Sequence, residues 1–348
     1  MKNKKTIFMI LGVCLAVLLI AAFIFYHHGI SAVSSQNEEV IVRIEPGTNA
    51  TQMLDALDEA GLVNNKLCGK IYLKLNHFTN LQANTYIFNK TMSLPEIFSI
   101  IENPDFEYIL KSKLTIKEGN TIPEVAQSFA EVLNVSQEDI LKQWSDQDYL
   151  KSLIDEYWFI DQSILNSDIM YPLEGYLFPE TYYITEENPT IESVTKLSLD
   201  MMDQKLSAYQ DKIKEMNWTP HQFLTFASLV ERESLFDEDR PKIAGVFMNR
   251  LKAGMRLQSD VTVNYAWQRT GVNVTYSHLE IDSRYNTYKY VGLPVGPIST
   301  ISQVTMEACL NYTQHDDLFF FADENGKVYY SKTLDEHEEI VKKYKWYN

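Results

Sequence analysis

Residues 6–26 form an uncharged, apolar run directly behind Lys2, Lys4 and Lys5. Such a segment has one stable form in lipid, a helix whose backbone groups bond to one another. About 20 residues at roughly 1.5 Å each match the roughly 30 Å of hydrocarbon in a bilayer. A cleaved signal peptide carries a shorter apolar core, about 7–15 residues, and a small-residue cleavage site. Ser31-Ala32-Val33 is a poor version of that site. A buried core helix fits no better, because nothing polar interrupts the run. The expectation is an uncleaved, single-pass anchor in the cell membrane. The lysines hold residues 1–5 as a cytoplasmic stub and place the rest of the chain outside. Residues 27–39 then read as a short polar spacer.

The chain has 348 residues, enough for two modest domains beyond the anchor. Its 45% hydrophobic and 12% aromatic content requires true cores. A formal net charge of −16 repels phosphate backbones and argues against a nucleic-acid partner. Cys14, Cys68 and Cys309 are far apart, show no metal-ligand spacing and, with Cys14 inside the apolar run, leave at most one pair. There is no His-Glu-x-x-His helix, Gly-x-Ser-x-Gly elbow or phosphate-binding glycine loop. Neither metal nor cofactor is expected.

From residue 40 the pattern is strand, turn and helix. Val40-Ile41-Val42-Arg43-Ile44 alternates, Glu45-Pro46-Gly47-Thr48 turns, and residues 51–61 read as an amphipathic helix closed by glycine. The unit recurs at Leu114-Thr115-Ile116, Lys117-Glu118-Gly119-Asn120-Thr121 and a helix over 123–133. A third version runs from residues 83–88 through Met92-Ser93-Leu94-Pro95 into a short helix. The irregular spacing excludes a solenoid. Two of these units resemble the LysM-type module, a small glycan-binding fold, through the strand, the Gly-Thr or Gly-Asn-Thr turn and the helix. Ordinary α+β packing without a ligand gives the same pattern. The fold class expected overall is α+β: a transmembrane helix at 6–26, a LysM-like region at 40–134 and a mixed α+β domain at 135–348.

In that last region, residues 137–157 read as helical, with Leu141, Trp144, Leu150 and Leu153 inward. The stretch from Tyr171 to Tyr182 holds two prolines and a glycine, so it is a loop. Its four aromatics and two acids, Glu174 and Glu180, suit either a sugar-stacking surface or a packed cover for a core edge. Residues 191–213 read as one long amphipathic helix. Thr219-Pro220 is a strong helix start, and Phe223, Phe226, Ala227 and Val230 form an apolar stripe behind it. Ser234 falls at the centre of that stripe, with Glu231 and Glu233 on opposite flanks. Helical geometry does not choose between the two acids. Either is placed to be a half-buried carboxyl with a raised pKa, as a general acid requires. Equally, both fit as boundary acids, one of them paired with Arg232 or Arg240. A helix over 241–251 closed by Gly254 follows. Next comes a polar loop whose Ser259 or Asp260 caps a short helix through Tyr265. The turn-rich run Gly292-Leu293-Pro294-Val295-Gly296-Pro297 is loop, and a hairpin at 318–322 and 327–331 precedes a last helix from Leu334.

Three sets of residues, in order, carry a specific resemblance. They are Leu173-Glu174-Gly175-Tyr176-Leu177-Phe178-Pro179-Glu180-Thr181-Tyr182; then Ala227 to Ser234 with Val246-Phe247-Met248-Asn249-Arg250-Leu251 and Gly254 to Asp260; then Tyr285-Asn286-Thr287-Tyr288 with Gly292-Leu293-Pro294. Together they look like the YceG-like endolytic murein transglycosylases, which cut nascent peptidoglycan strands internally, near the membrane. The resemblance covers roughly residues 173–337, and the anchor and LysM-like region suit it. It implies that the catalytic acid is the second glutamate of a Glu-x-Glu-Ser/Thr signature, Glu233 here, followed by Ser234.

A hydrolytic glycosidase normally uses two carboxylates. The chemistry expected here uses Glu233 alone, first as acid on the glycosidic oxygen between N-acetylmuramic acid and N-acetylglucosamine. The same group then acts as base on the C6 hydroxyl, closing a 1,6-anhydro ring. Gln258, Asn286 and Tyr288 are expected to bind acetamido and hydroxyl groups or to brace loops. Ser234, Asp260, Glu174 and Glu231 are expected in supporting roles. Expected partners are glycan strands, the membrane and, by resemblance, peptidoglycan synthases or other cell-wall elongation proteins. Two rival readings remain: a two-carboxylate muramidase with Asp260 or Glu174 as second acid, and a non-catalytic wall-binding scaffold.

Overall fold

The computed structural model describes residues 2–104, 106–269 and 274–345. Met1 of the expected stub, and residues 270–273 and 346–348 of the expected catalytic domain, lie outside them. The protein is mixed α+β, opening with a single long apolar helix, α1 (Lys2–Gly29). Met9–Gly29 is long and apolar enough to cross a membrane, and the body of this helix is exposed, with only its last residue, Gly29, buried. Beyond this helix the chain folds into two compact units. One runs up to Lys113 and takes in Tyr183–Asn188; the other holds Leu114–Tyr182 and the chain from Pro189 onward.

In the first unit, β1 (Glu39–Arg43) pairs antiparallel with β2 (Thr85–Asn89), Glu39 opposite Asn89 and Arg43 opposite Thr85. Between them lie α2 (Ala50–Glu59) and α3 (Lys66–Leu75), and α4 (Leu94–Glu102) follows. The local chemistry explains each start. Asn49 and Gln52 form a capping box on α2, Ser93 and Glu96 form another on α4, and the Asn65 side chain accepts from Leu67 and Cys68 at the head of α3. Met53, Leu54, Leu57, Phe88, Ile97 and Phe98 are fully buried together, each worth about 1.5–3 kcal/mol of transfer free energy. The sequence pattern does not announce α3. Its buried residues are Cys68 and Gly69, and three of its four aliphatic residues, Leu67, Ile71 and Leu75, face outward, while Tyr72 and Leu73 pack against the core. Gly69 is required there, because a Cβ would lie 2.8 Å from Leu54 Cδ1.

Residues 27–39, read from the sequence as a polar spacer, begin as the last turn of α1. Asn65 N donates to Gly29 O (3.0 Å) and Asn64 Nδ2 to His28 O (3.0 Å). Ile30 is buried in the core and its carbonyl accepts from Leu94 N (3.0 Å). The end of α1 is therefore capped by the folded unit itself.

In the second unit, helices surround one another with little sheet. Its elements are the second half of β3 (Ser112–Thr115), α5 (Ile122–Leu133), α6 (Gln137–Gln143), α7 (Gln147–Glu156), the first half of β4 (Thr181–Ile184), α8 (Ile191–Ser207) and α9 (Gln210–Glu215). They continue with α10 (Pro220–Glu233), α11 (Arg240–Lys252), α12 (Asp260–Ala266), α13 (Gln303–Leu310), the antiparallel hairpin β5 (Phe319–Ala322) and β6 (Val328–Ser331), and α14 (Leu334–Tyr344). β3 pairs with β4. Two expected long helices are each broken. Residues 137–157 divide into α6 and α7 because Asp146 accepts from Asp148 N and Tyr149 N and starts a new helix. Trp144, at the end of α6, is buried against Phe129 and bonds Thr195 Oγ1 (2.9 Å). Residues 191–213 divide into α8 and α9 at Ala208–Tyr209.

The helix α10 departs most from its sequence reading. A single apolar stripe predicts one buried face, yet every residue from His221 to Glu231 except Gln222 is buried. The helix is enclosed on all sides, with α11, α12 and α13 packed on it. Its polar members are absorbed internally. His221 bridges the Tyr176 hydroxyl (2.7 Å) and Val295 O (2.9 Å), and Ser228 Oγ accepts from Ile298 N (3.1 Å). These bonds hold the 292–299 loop along the helix.

Candidate active site

The central helix ends in the two acids that geometry alone left equivalent, and their surroundings separate them. Glu231 is 8% exposed and both of its oxygens accept hydrogen bonds. Its Oε1 accepts from Arg240 Nη1 (3.0 Å), and its Oε2 accepts from Ser302 N (2.9 Å), Ser302 Oγ (2.8 Å) and Thr305 Oγ1 (2.6 Å). Arg240 also bonds Thr305 Oγ1 (2.7 Å) and Asp237 (2.9 Å). This network joins α10 to the starts of α11 and α13.

Glu233 is the last residue of α10 and remains partly open to solvent. Ser259 Oγ donates to its Oε1. Burial pushes the carboxyl up to about 7, and the nearby Asp260 carboxylate adds to the rise. The Ser259 bond and the charges of Arg250 and Arg232 oppose it. The group is thus divided between its two protonation states near neutral pH. Ser234 caps the helix through Val230 O (3.1 Å), and its Oγ is enclosed with no partner among the described residues. Arg232 turns away to bond Gly119 O (2.7 Å).

The loop between α11 and α12 brings Ser259 to Glu233. Arg250, itself buried, donates to Leu257 O (2.5 Å) and Leu318 O (2.6 Å) and lies over the Phe319 ring. Gln258 N donates to Thr287 O (3.2 Å) and Ser259 N to Thr287 Oγ1 (3.0 Å). These bonds hold Gln258 at φ +48°, a left-handed conformation uncommon outside glycine. The Gln258 side chain is exposed. Ser259 is the residue before α12, where a serine ordinarily caps; its hydroxyl goes to Glu233 instead, and it makes no side-chain cap. Asp260, at the first position of α12, accepts from the Tyr288 hydroxyl. Burial raises its pKa and the tyrosine bond lowers it.

The other expected residues lie in the frame. Asn286 is fully buried; its Nδ2 donates to Leu279 O (2.8 Å) and Ile281 O (2.9 Å), and its Oδ1 accepts from Tyr288 N (3.0 Å). It fixes the backbone that presents Tyr288. Glu174 is 1% exposed and accepts from Ile122 N (3.0 Å) and the Tyr265 hydroxyl (3.0 Å), tying the head of α5 to α12. Burial drives its pKa up to about 8 against both bonds. Gly175 beside it, at φ +79°, lies where a Cβ would be 2.4 Å from Pro297. The structure thus gathers Glu233, Asp260 and Tyr288 with Ser259, which sequence reasoning assigned only as a cap, and Arg250, which it quoted without a role.

A cavity of ≈ 190 Å³ lies beside Arg232, lined also by Glu124, Val261, Tyr265 and Gln268. A larger cleft of ≈ 550 Å³ is at the opposite end of α10, around Trp218, His221 and Pro294. Among the described residues, no three His, Cys, Asp or Glu side chains come together as metal ligands would.

The chain belongs to the YceG-like family, whose model matches residues 42–343. It is 36% identical over 324 residues to a protein of Streptococcus pneumoniae strain D39 named endolytic murein transglycosylase; the match takes 88% of this chain and 59% of that one. A Bacillus subtilis protein of the same name is 33% identical over 306 residues, with 88% and 84% covered. The chain thus spans less than two thirds of the pneumococcal relative's length. The crystal structure of a yceG-like protein from Listeria monocytogenes, 35% identical, superposes with a TM-score of 0.64 over 88% of this chain and 100% of that one.

Proposed function

We propose that this protein is a membrane-anchored endolytic lytic transglycosylase acting on nascent peptidoglycan, with Glu233 as its acid and base. The observation that carries the reading is the carboxyl of Glu233: partly accessible, held through one oxygen by Ser259, and with a pKa of about 7. Protonated, it gives its proton to the oxygen joining C1 of N-acetylmuramic acid to N-acetylglucosamine, and that bond breaks. Ionised, it takes the proton of the muramic acid C6 hydroxyl, whose oxygen bonds C1 and closes the 1,6-anhydro ring. One carboxyl with a pKa near neutrality serves both steps. The names of the pneumococcal and Bacillus relatives support the same substrate and reaction.

In this reading Ser259 orients the carboxyl, Tyr288 and Gln258 meet the acetamido and hydroxyl groups of the glycan, and the enclosed Ser234 supports the helix end behind Glu233. Asp260, held by Tyr288, keeps the local field negative. Glu231, Glu174 and Asn286 hold the frame. The apolar helix α1 anchors the chain with its N-terminus cytoplasmic and the remainder outside. β1, the Gly47 turn and α2 supply the strand, turn and helix on which the LysM-like reading of 40–134 rests. The chemistry is assigned to 135–348, although the compact unit holding the site also includes 114–134. Synthases of the growing wall are the proposed protein partners.

Mass spectrometry of digested glycan strands tests the assignment, since anhydro and hydrated ends differ by one water. Anhydro ends from the wild type, absent with Glu233→Gln, are expected. Hydrated reducing ends would assign a hydrolase with Asp260 as the second acid. Activity unchanged in Glu233→Gln would remove the catalytic claim.

A further inference from the structure

Outside α1, the exposed large aliphatic residues described in the first unit are Ile41, Leu67, Ile71 and Leu75. Three of the four lie on α3 at intervals of four, so they form one stripe. Leu67 and Leu75 are 61% and 67% exposed. Exposed Lys70 and Lys74 flank the stripe, and α3 contains no acid in a chain of net charge −16. Lys66 is held by Asp55 and Asp58; Lys70 and Lys74 have no ion pair among the described residues.

The position of α3 decides what this face meets. Its start is bonded to the end of α1, Asn65 N to Gly29 O. Three residues later Cys68 Sγ is 3.8 Å from Phe25 O, one turn back along α1. A Cβ on Gly29 would be 2.4 Å from Cys68 Sγ, so the two helices touch. The first turn of α3 therefore packs on the last turn of α1, where the apolar stretch ends.

We propose that α3 lies on the lipid surface where α1 emerges, with Leu67, Ile71 and Leu75 in the headgroup–acyl boundary and Lys70 and Lys74 at the lipid phosphates. An apolar stripe with lysine flanks is the composition of an interfacial helix, and anionic headgroups complement the local positive charge. The inference rests on α1 being a membrane span, and the test separates the two claims. The full chain is reconstituted in phosphatidylcholine–phosphatidylglycerol vesicles containing nitroxide lipids. In the wild type, exposed Cys14 carries the fluorophore; in a Cys14→Ser background, Leu75→Cys carries it. Cys68 and Cys309 are buried. A deep nitroxide is expected to quench the label at Cys14 and a shallow nitroxide the label at position 75. Quenching at Cys14 with none at position 75 overturns the α3 proposal and leaves the span standing. No quenching at Cys14 overturns both. Adding Lys70→Glu and Lys74→Glu is expected to reduce quenching at position 75; unchanged quenching overturns the part given to the lysines.

Discussion

The Ser259 hydroxyl stabilises the ionised form of Glu233, so removing it raises the carboxyl pKa. A hydrogen bond to a charged group is worth about 1.5–3 kcal/mol, or roughly 1–2 pH units. Ser259→Ala is therefore expected to move the alkaline limb of kcat/KM upward by that amount, because the acid must start protonated. A pH–rate profile that keeps its alkaline limb in place would show that the bond does not tune the acid. Glu174 gives a second titration. Its folded pKa, about 8, lies above an unfolded value of about 4.3. The folded state then binds the proton more tightly, so stability is full below the unfolded pKa and is lost as pH rises toward 8. Glu174→Gln keeps an acceptor for Ile122 N and is expected to flatten the fall in Tm between pH 5 and 8. These residues also mark how far the sequence could be read. Helix geometry placed Glu231 and Glu233 symmetrically, because a wheel records spacing and not partners. The partners come from residues far along the chain, Ser302 and Thr305 for one acid and Ser259 for the other.

Helices make the frame, and one ion pair holds three of them. Arg240→Ala leaves Glu231 buried beside α13 with its charge uncompensated, a loss of about 3–5 kcal/mol by analogy with other buried pairs. Chemical denaturation of the wild type and the variant measures it. A change below about 1 kcal/mol would mean that water or a rearranged Ser302 carries the charge. At the other end of α10, the Thr219 capping box contributes about 1 kcal/mol, so Thr219→Ala should be much milder. Elements with strong local signals were legible: the start of α10, the β5–β6 hairpin and the helices α2 and α4. The breaks at Asp146 and Tyr209 were not, because apolar periodicity runs on across each while a side-chain cap or a turn redirects the backbone. α3 was passed over because three of its four aliphatic side chains face away from the core, the reverse of the pattern by which buried helices are recognised.

For the molecule as a whole, the one long apolar helix near the N-terminus was readable from length and composition. The enclosure of α10 was not, since it depends on α12 and α13, which no local pattern ties to it. On the proposed function, the loop that carries Gln258 bears on how a glycan strand is engaged. Its left-handed residue is held by Thr287, with Arg250 fixing the carbonyl before it, so this segment has its shape before any sugar arrives. Association then carries no ordering step for that loop. Its rate is set by diffusion of the strand to an existing surface, and the loop adds nothing to the entropy lost on binding.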